Sequence, residues 1–192
     1  MKVYGDMRSG NCLKVKYVAD KLGITHEWQE VDVLSGYTRT PEFLALNPAG
    51  QIPTVIFGEG QVLAQSNAIM RYLAKGSALI PTDTWQQAQM DQWLFWEQYS
   101  HEPTIAVARF IRAIKNLPAD QVPPGLMDRG NAALDVMEKH LTERNWFVGD
   151  ACTLADIALL AYTQFAEEGG FSLENRPNIT NWIARVRAEL AA

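Results

Sequence analysis

Val15, Val18, Ala19 and Leu22 recur at the i, i+3, i+4, i+7 spacing of one helical face, while Lys14, Lys16, Asp20 and Lys21 fall off that stripe. The pattern predicts a helix over residues 10–23, stopped by Gly23. Ahead of it, Lys2-Val3-Tyr4 reads as a short strand. Behind it, residues 26–33 read as a second strand carrying Trp28, Val31 and Val33. Residues 41–46 can hold a short helix that must end before Pro48. Two further strands, 54–57 and 62–64, are joined by Gly58-Glu59-Gly60, a hairpin signal, and residues 65–74 give another helix. A helix joining two strands is a crossover, so the first two strands are expected to be parallel, with a right-handed connection. The hairpin must add an antiparallel pair.

From residue 85 onward only the helical period is visible. Residues 85–100 carry Met90, Trp93 and Leu94, and Pro103 is expected to kink or restart a helix that continues through Phe110 and Ile114. Pro118, Pro123 and Pro124 make the next break. Residues 128–141 place Ala133, Val136, Met137 and Leu141 on one face, and Ile179, Trp182, Ile183, Val186 and Leu190 form a last stripe. Thr153-Leu154-Ala155-Asp156 fits a capping box, with Cys152 and Ile157 placed as its hydrophobic staple. The change of pattern falls at Lys75-Gly76-Ser77. We read residues 1–76 as an α/β domain, 76–84 as a linker and 85–192 as an all-α domain.

Composition sharpens this division. The 192 residues carry 17 Lys/Arg against 22 Asp/Glu, a net charge of −5, with 47% hydrophobic residues. The first 76 residues hold eight Lys/Arg and seven Asp/Glu; the remainder holds nine and fifteen, together with five of the six Trp. The acidic balance argues against nucleic acid as the main partner, because phosphate contacts need clustered Lys and Arg. No apolar run approaches the ~20 residues of a membrane span. The start, Met-Lys-Val-Tyr-Gly-Asp, reads directly into a strand rather than a secretory leader. Cys12 and Cys152 cannot build a disulfide framework, which suggests a reducing cytoplasm. Nothing has metal-ligand spacing, and no glycine-rich phosphate loop is present.

The candidate chemistry lies in the first domain. Ser9 opens a helix just after a strand, where exposed N–H groups and the helix dipole favour an anion. Ser9-Gly10-Asn11-Cys12 also stands where a thioredoxin-like strand order would carry two cysteines, with Ser in the nucleophile's place. Cys12 lies three residues before Val15 and shares its stripe, so it is expected to be buried and inert. Asn47-Pro48-Ala49-Gly50-Gln51-Ile52-Pro53 ends on a proline that opens a strand; it is a candidate for a cis bond that turns the Ile52 backbone outward for a peptide-like ligand. Gln65-Ser66-Asn67-Ala68-Ile69 places a polar pair at another helix start, suited to a carboxylate.

In their order and spacing, and together with Val148-Gly149-Asp150 and the Thr153–Asp156 box, these segments resemble the cytosolic glutathione transferases over essentially the whole chain. The resemblance implies a thioredoxin-like N-terminal domain plus an all-helical C-terminal domain, a homodimer, and glutathione as cosubstrate. It implies that Ser9 holds the glutathione sulfur, as in theta- and zeta-like members. Asn11 and Cys12 stay as alternatives, because related bacterial types use Asn or Cys nearby. It further implies backbone pairing of Ile52 with the cysteinyl part, Pro53 as the cis-proline and Gln51 as a neighbouring contact. Gln65 and Ser66 would hold the γ-glutamyl end, and Arg39, more loosely, the glycine carboxylate. Tyr4 lies in the strand ahead of the motif, so a tyrosine-type mechanism is not expected. An apolar electrophile site between the domains is expected from Met7, Tyr99, Ala106 and Phe110. His101 and Arg109 are candidate polar contributors to it, although for His101 a place at the surface or against the linker is the more expected. No segment after the last helix is expected to close over that site.

The expected activity is thus activation of the glutathione thiol as a thiolate for attack on a small apolar electrophile. A glutathione-dependent thiol–disulfide oxidoreductase and a non-catalytic interaction module on the same fold are the alternatives. Ser in place of the first Cys disfavours the former, and retention of Ser9, Pro53, Gln65 and Ser66 disfavours the latter.

Overall fold

The computed structural model describes residues 1–191, which divide into two compact units, Met1–Ser77 and the segment from Ala78 onward. In the first unit β1 (Lys2–Gly5), α1 (Gly10–Lys21) and β2 (Glu27–Glu30) form the expected crossover, with β1 and β2 parallel. After α2 (Pro41–Leu46), β3 (Thr54–Ile56) and β4 (Val62–Ala64) form the antiparallel hairpin, followed by α3 (Ser66–Leu73). β3 also pairs antiparallel with β1, giving the sheet order β2-β1-β3-β4 among the described residues.

One core joins sheet and helices: Val3 of β1, Val15 of α1, Val55 of β3 and Ile69 of α3 are buried together, with Trp28, Phe57, Leu63 and Leu73 against them. Gly5 is required by close packing, because a Cβ there would lie 2.6 Å from the Trp28 ring. β2 is shorter than its apolar alternation suggests. The Val31 N–H still bonds to the Gly5 carbonyl, but by Val33 the chain has left the sheet and its N–H donates to Asp6 Oδ2 (3.1 Å).

All the regular structure among the described residues of the second unit is helical. α4 (Thr84–Trp96) is capped by Asp83 and runs through one π-helical turn, Glu97–His101, into α5 (Glu102–Arg109), which a second π turn, Phe110–Ile114, extends. The wide turn stands just before Pro103, whose ring clashes with the carbonyl four residues back and which donates no N–H. The expected kink therefore takes the form of a π turn. α6 (Pro124–His140) begins four residues before the first predicted position, with Pro124 at its first turn, where a missing N–H costs nothing. α7 (Leu154–Thr163) is buried along its whole length, and α8 (Pro177–Ala191) buries Ile179, Trp182, Ile183 and Val186.

The capping box is present, and it does more than cap. Asp156 accepts from the Thr153 N–H (2.9 Å) and hydroxyl (3.0 Å), from the Phe147 N–H (3.0 Å) and from Trp182 Nε1 (2.9 Å). One carboxylate thus ties the start of α7 to the preceding loop and to α8. Burial pushes this carboxyl up from its ordinary pKa, against the lowering effect of the four donors.

Candidate functional site

Local hydrogen bonds build the α1 end of the site. Ser9 is the N-cap of α1, and its Oγ accepts from the Cys12 N–H (3.4 Å). A hydroxyl has one proton and two lone pairs, so a capping serine can also donate, and here the Ser9 hydroxyl has the Cys12 sulfur beside it, where its hydrogen bond lowers that thiol. The loop ahead is held by Asp6, which is buried and accepts from the Arg8 N–H (2.8 Å), Nε (3.0 Å) and Nη2 (2.7 Å). Burial raises the Asp6 carboxyl, but the Arg8 and Val33 donors outweigh it and hold it below its ordinary value. A carboxyl with a lowered pKa stabilises the fold above its ordinary value and loses that contribution as pH falls through the lowered one, so this anchor weakens only in acid.

Cys12, carried as an alternative sulfur contact, has no solvent exposure, and burial pushes its thiol up to about 12 despite the opposing Ser9 bond. A thiol in that state is neither nucleophile nor acid near neutrality. Asn11 points elsewhere: its Oδ1 accepts from the Ser66 hydroxyl (3.1 Å) and from Lys14 Nζ (2.9 Å). The starts of α1 and α3 are thereby joined directly.

At α3, Gln65 occupies the N-cap with φ 71 and ψ 109 and makes no capping hydrogen bond. A non-glycine residue at positive φ is strained and persists only where its surroundings hold it. Ser66 follows as the first helical residue, buried, with the first-turn N–H groups that an anion satisfies.

The third segment is pinned by Asn47, whose Nδ2 donates to the Gln51 carbonyl (2.8 Å) and to Thr54 Oγ1 (3.0 Å), while its Oδ1 accepts from the Ala49 N–H (3.1 Å). Gly50 adopts φ +61, and a Cβ there would lie 2.8 Å from the Thr38 carbonyl. The Ile52–Pro53 peptide is cis, as expected, with Ile52 half-buried and Gln51 exposed. Arg39 is exposed and donates from Nη1 to the Ala49 carbonyl (3.2 Å), which places it beside this loop.

The residues expected at the electrophile site differ in their exposure. Met7 is exposed on the loop before α1. Tyr99 is 88% exposed and lines a groove of about 340 Å³ with Pro103, Arg129 and Val136. Ala106 is buried, and Phe110 is half-buried with the Lys115 ammonium 5.1 Å from its ring centre. Two expectations change. His101 is not at the surface: it is fully buried, with Nε2 2.9 Å from Thr163 Oγ1. Arg109 is engaged inside the helical unit, its Nε 2.6 Å from Glu168 Oε2 and its guanidinium over Phe165.

Lys14 was missed. It falls off the apolar stripe and so reads as a solvated lysine, yet it is fully buried. Its partners come from the first turn of its own helix and from α3, 52 and 53 residues away, so local periodicity carries no sign of them. No helix among the described residues is long and apolar enough to cross a membrane.

Comparison with known proteins follows the same division. The family model for the glutathione S-transferase N-terminal domain matches residues 8–75, and that for the C-terminal domain matches residues 101–189. Glutathione S-transferase 3 of Zea mays is 33% identical over 100% of this chain and 90% of its own length. Glutathione S-transferase theta-2 of Homo sapiens is 29% identical over 100% of this chain and 82% of its own. The crystal structure of a glutathione S-transferase from Pseudomonas fluorescens Pf-5 superposes with a TM-score of 0.94 at 50% identity, covering 97% of this chain and 94% of that one. With its small mixed sheet, its helical second unit and these matches along its length, the chain belongs to the glutathione S-transferase family.

Proposed function

We propose that this family member binds glutathione on its first unit and activates it through Ser9, as a serine-type transferase. The observation that carries the reading is the joining of two helix starts: Ser9 caps α1, Ser66 opens α3, and the Ser66–Asn11 bond of 3.1 Å fixes them as one surface. The γ-glutamyl carboxylate belongs at the α3 start beside Gln65 and Ser66, and the cysteinyl backbone at Ile52 and Pro53. Gln51 and Arg39 flank the glycine end. The thiol then lies at Ser9.

A free thiol near pKa 8.5 is only about 3% ionised at pH 7. A Ser9 O–H donated to the thiolate is worth roughly 1.5–3 kcal/mol, or about one to two pKa units. The thiol proton passes to solvent. The thiolate lone pair then forms the carbon–sulfur bond, and the leaving group departs with its electron pair. The electrophile is small and apolar, and Met7, Tyr99, Ala106 and Phe110 are the residues proposed to select it. Burial of Cys12 counts against a thiol–disulfide exchange that uses the protein's own cysteine.

Calorimetric titration with glutathione tests the binding reading. Saturable binding is expected, weakened by about 1–3 kcal/mol in Ser66→Ala. No heat at millimolar glutathione would remove the reading altogether.

The protein is also proposed to act as a cytoplasmic homodimer. The proposal follows the family resemblance, and Trp85 and Phe95 on α4, 71% and 75% exposed, are apolar side chains that a second copy could cover. Light scattering is expected to give twice the 21.5 kDa chain mass; a monomer at micromolar concentration would contradict it.

A further inference from the structure

The loop between β1 and α1 is held by carboxylates. Asp6, fully buried, takes the Arg8 N–H (2.8 Å) and the Val33 N–H (3.1 Å) on its side chain, and its carbonyl takes the Ser9 N–H (2.9 Å). Glu30 takes the Met7 N–H (3.1 Å), and Asp32 takes the Leu34 N–H (2.9 Å). The backbone N–H groups of residues 7, 8 and 9 are thus all bonded to acidic residues. This fixes the approach to the Ser9 hydroxyl, but it gathers negative charge at the α1 start. A sulfur anion formed there is opposed by that charge. The Cys12 thiol, which lies beside the Ser9 hydroxyl, registers it: burial pushes this thiol up first, and the charges of Asp6 and Glu30 push it up further. Arg8 answers the charge. Its Nε and Nη2 grip the two oxygens of Asp6 at 3.0 and 2.7 Å, and the same Nη2 reaches Asp32 Oδ1 at 2.6 Å. A guanidinium fork on a carboxylate holds its geometry, and the paired charges act far more weakly on a third group than a bare carboxylate does. The charged groups bonded to the loop are therefore Asp6 after β1, Glu30 of β2, Asp32 beyond it and Arg8 itself, while Lys14 of α1 is bonded to Asn11, Ser66 and Asn67.

We propose that Arg8 is a positioning residue for thiol activation: its ion pairs with Asp6 and Asp32 offset the carboxylates that hold the Ser9 loop, so that a further anion, the glutathione thiolate, forms at the α1 start. The inference rests on the proposed Ser9 site and adds a charge requirement to it. Arg8 acts through Asp6 and governs ionisation of the bound thiol rather than affinity for the tripeptide.

The test follows the thiolate of bound glutathione by ultraviolet absorbance against pH in wild type, Arg8→Met, Arg8→Lys and the double variant Arg8→Met with Asp6→Asn. Arg8→Met is expected to raise the midpoint by about one unit. Conjugation at pH 7 then falls about fivefold and recovers at higher pH, and calorimetry shows Kd for glutathione unchanged within about twofold. Arg8→Lys, which keeps the charge, stays near wild type. The double variant returns toward the wild-type midpoint, because the charge that Arg8 offsets is gone as well. If Arg8→Met does not fold, Arg8→Gln, neutral but still a donor, is read in the same way. An unchanged midpoint in Arg8→Met, a midpoint raised as far in the double variant as in the single one, or a loss of affinity in place of a shift would each overturn the role of Arg8 while leaving the Ser9 site in place. A wild type whose bound glutathione titrates at the free-thiol value would overturn the Ser9 site itself.

Discussion

Ser9→Ala is expected to raise the pKa of bound glutathione by about one to two units and to lower conjugation at neutral pH by about tenfold. The argument is local. Ser9 caps α1 with its oxygen, and in the proposed complex its proton turns from the Cys12 sulfur to the sulfur of glutathione. Alanine removes the donor at the sulfur and the cap together, and the cap loss alone costs about 1 kcal/mol of stability. Thermal unfolding separates the two effects, because a merely destabilised protein recovers full activity on cooling and a protein without the donor does not. Cys12→Ala is the contrasting variant. With no exposure and its thiol pushed up to about 12, Cys12 is expected to take no part in activation. Its truncation is expected to cost on the order of 1 kcal/mol of stability and to leave the thiolate signal unchanged. The reverse pattern, with Cys12→Ala abolishing the signal, would move the chemistry to the cysteine.

The largest effect on stability is expected at Asp156. Removing its carboxylate leaves four donors without their acceptor in the interior: two on Thr153, the Phe147 N–H and Trp182 Nε1. Each orphaned donor carries a desolvation penalty, and the loss of a buried charged acceptor costs roughly 3–5 kcal/mol in all. For a chain of this size that is a fall in melting temperature of about 10 °C. Asp156→Asn keeps one acceptor oxygen and is expected to lose less than half as much. The measurement is chemical denaturation followed by tryptophan fluorescence. A change below 1 kcal/mol in Asp156→Ala would mean that the network contributes little. Activity per folded molecule is expected to be unaffected, because Asp156 caps a helix in the second unit, whereas glutathione is assigned to the first.

The sequence made one class of feature readable and hid another. Period and punctuation were enough for the crossover, the hairpin and the capping box. Val15, Val18 and Ala19 are buried as their spacing demands, and Ser9 and Thr153 cap the helices they precede. Element ends were less legible where the deciding partner is remote. Apolar alternation carries the second strand through Val33, but Asp6 draws the Val33 N–H away from the sheet. The helical pattern of α3 extends back to Gln65, but that residue sits at positive φ and cannot be helical. Buried polar residues were the least legible. Lys14 and His101 lie off or between apolar positions, so the helical period assigns both to water. Their burial depends on Ser66, Asn67 and Thr163, which no local window contains. Of the candidate site, the helix starts and the proline turn were visible as motifs, whereas the bond that joins α1 to α3 was not.

The claim that the Ser9 end of α1 ionises glutathione is tested most directly by an ultraviolet difference titration of the wild-type complex, following the thiolate of bound glutathione against pH. The account predicts a midpoint about one to two units below the ~8.5 of a free thiol. A midpoint at the free value, with glutathione demonstrably bound, would contradict it.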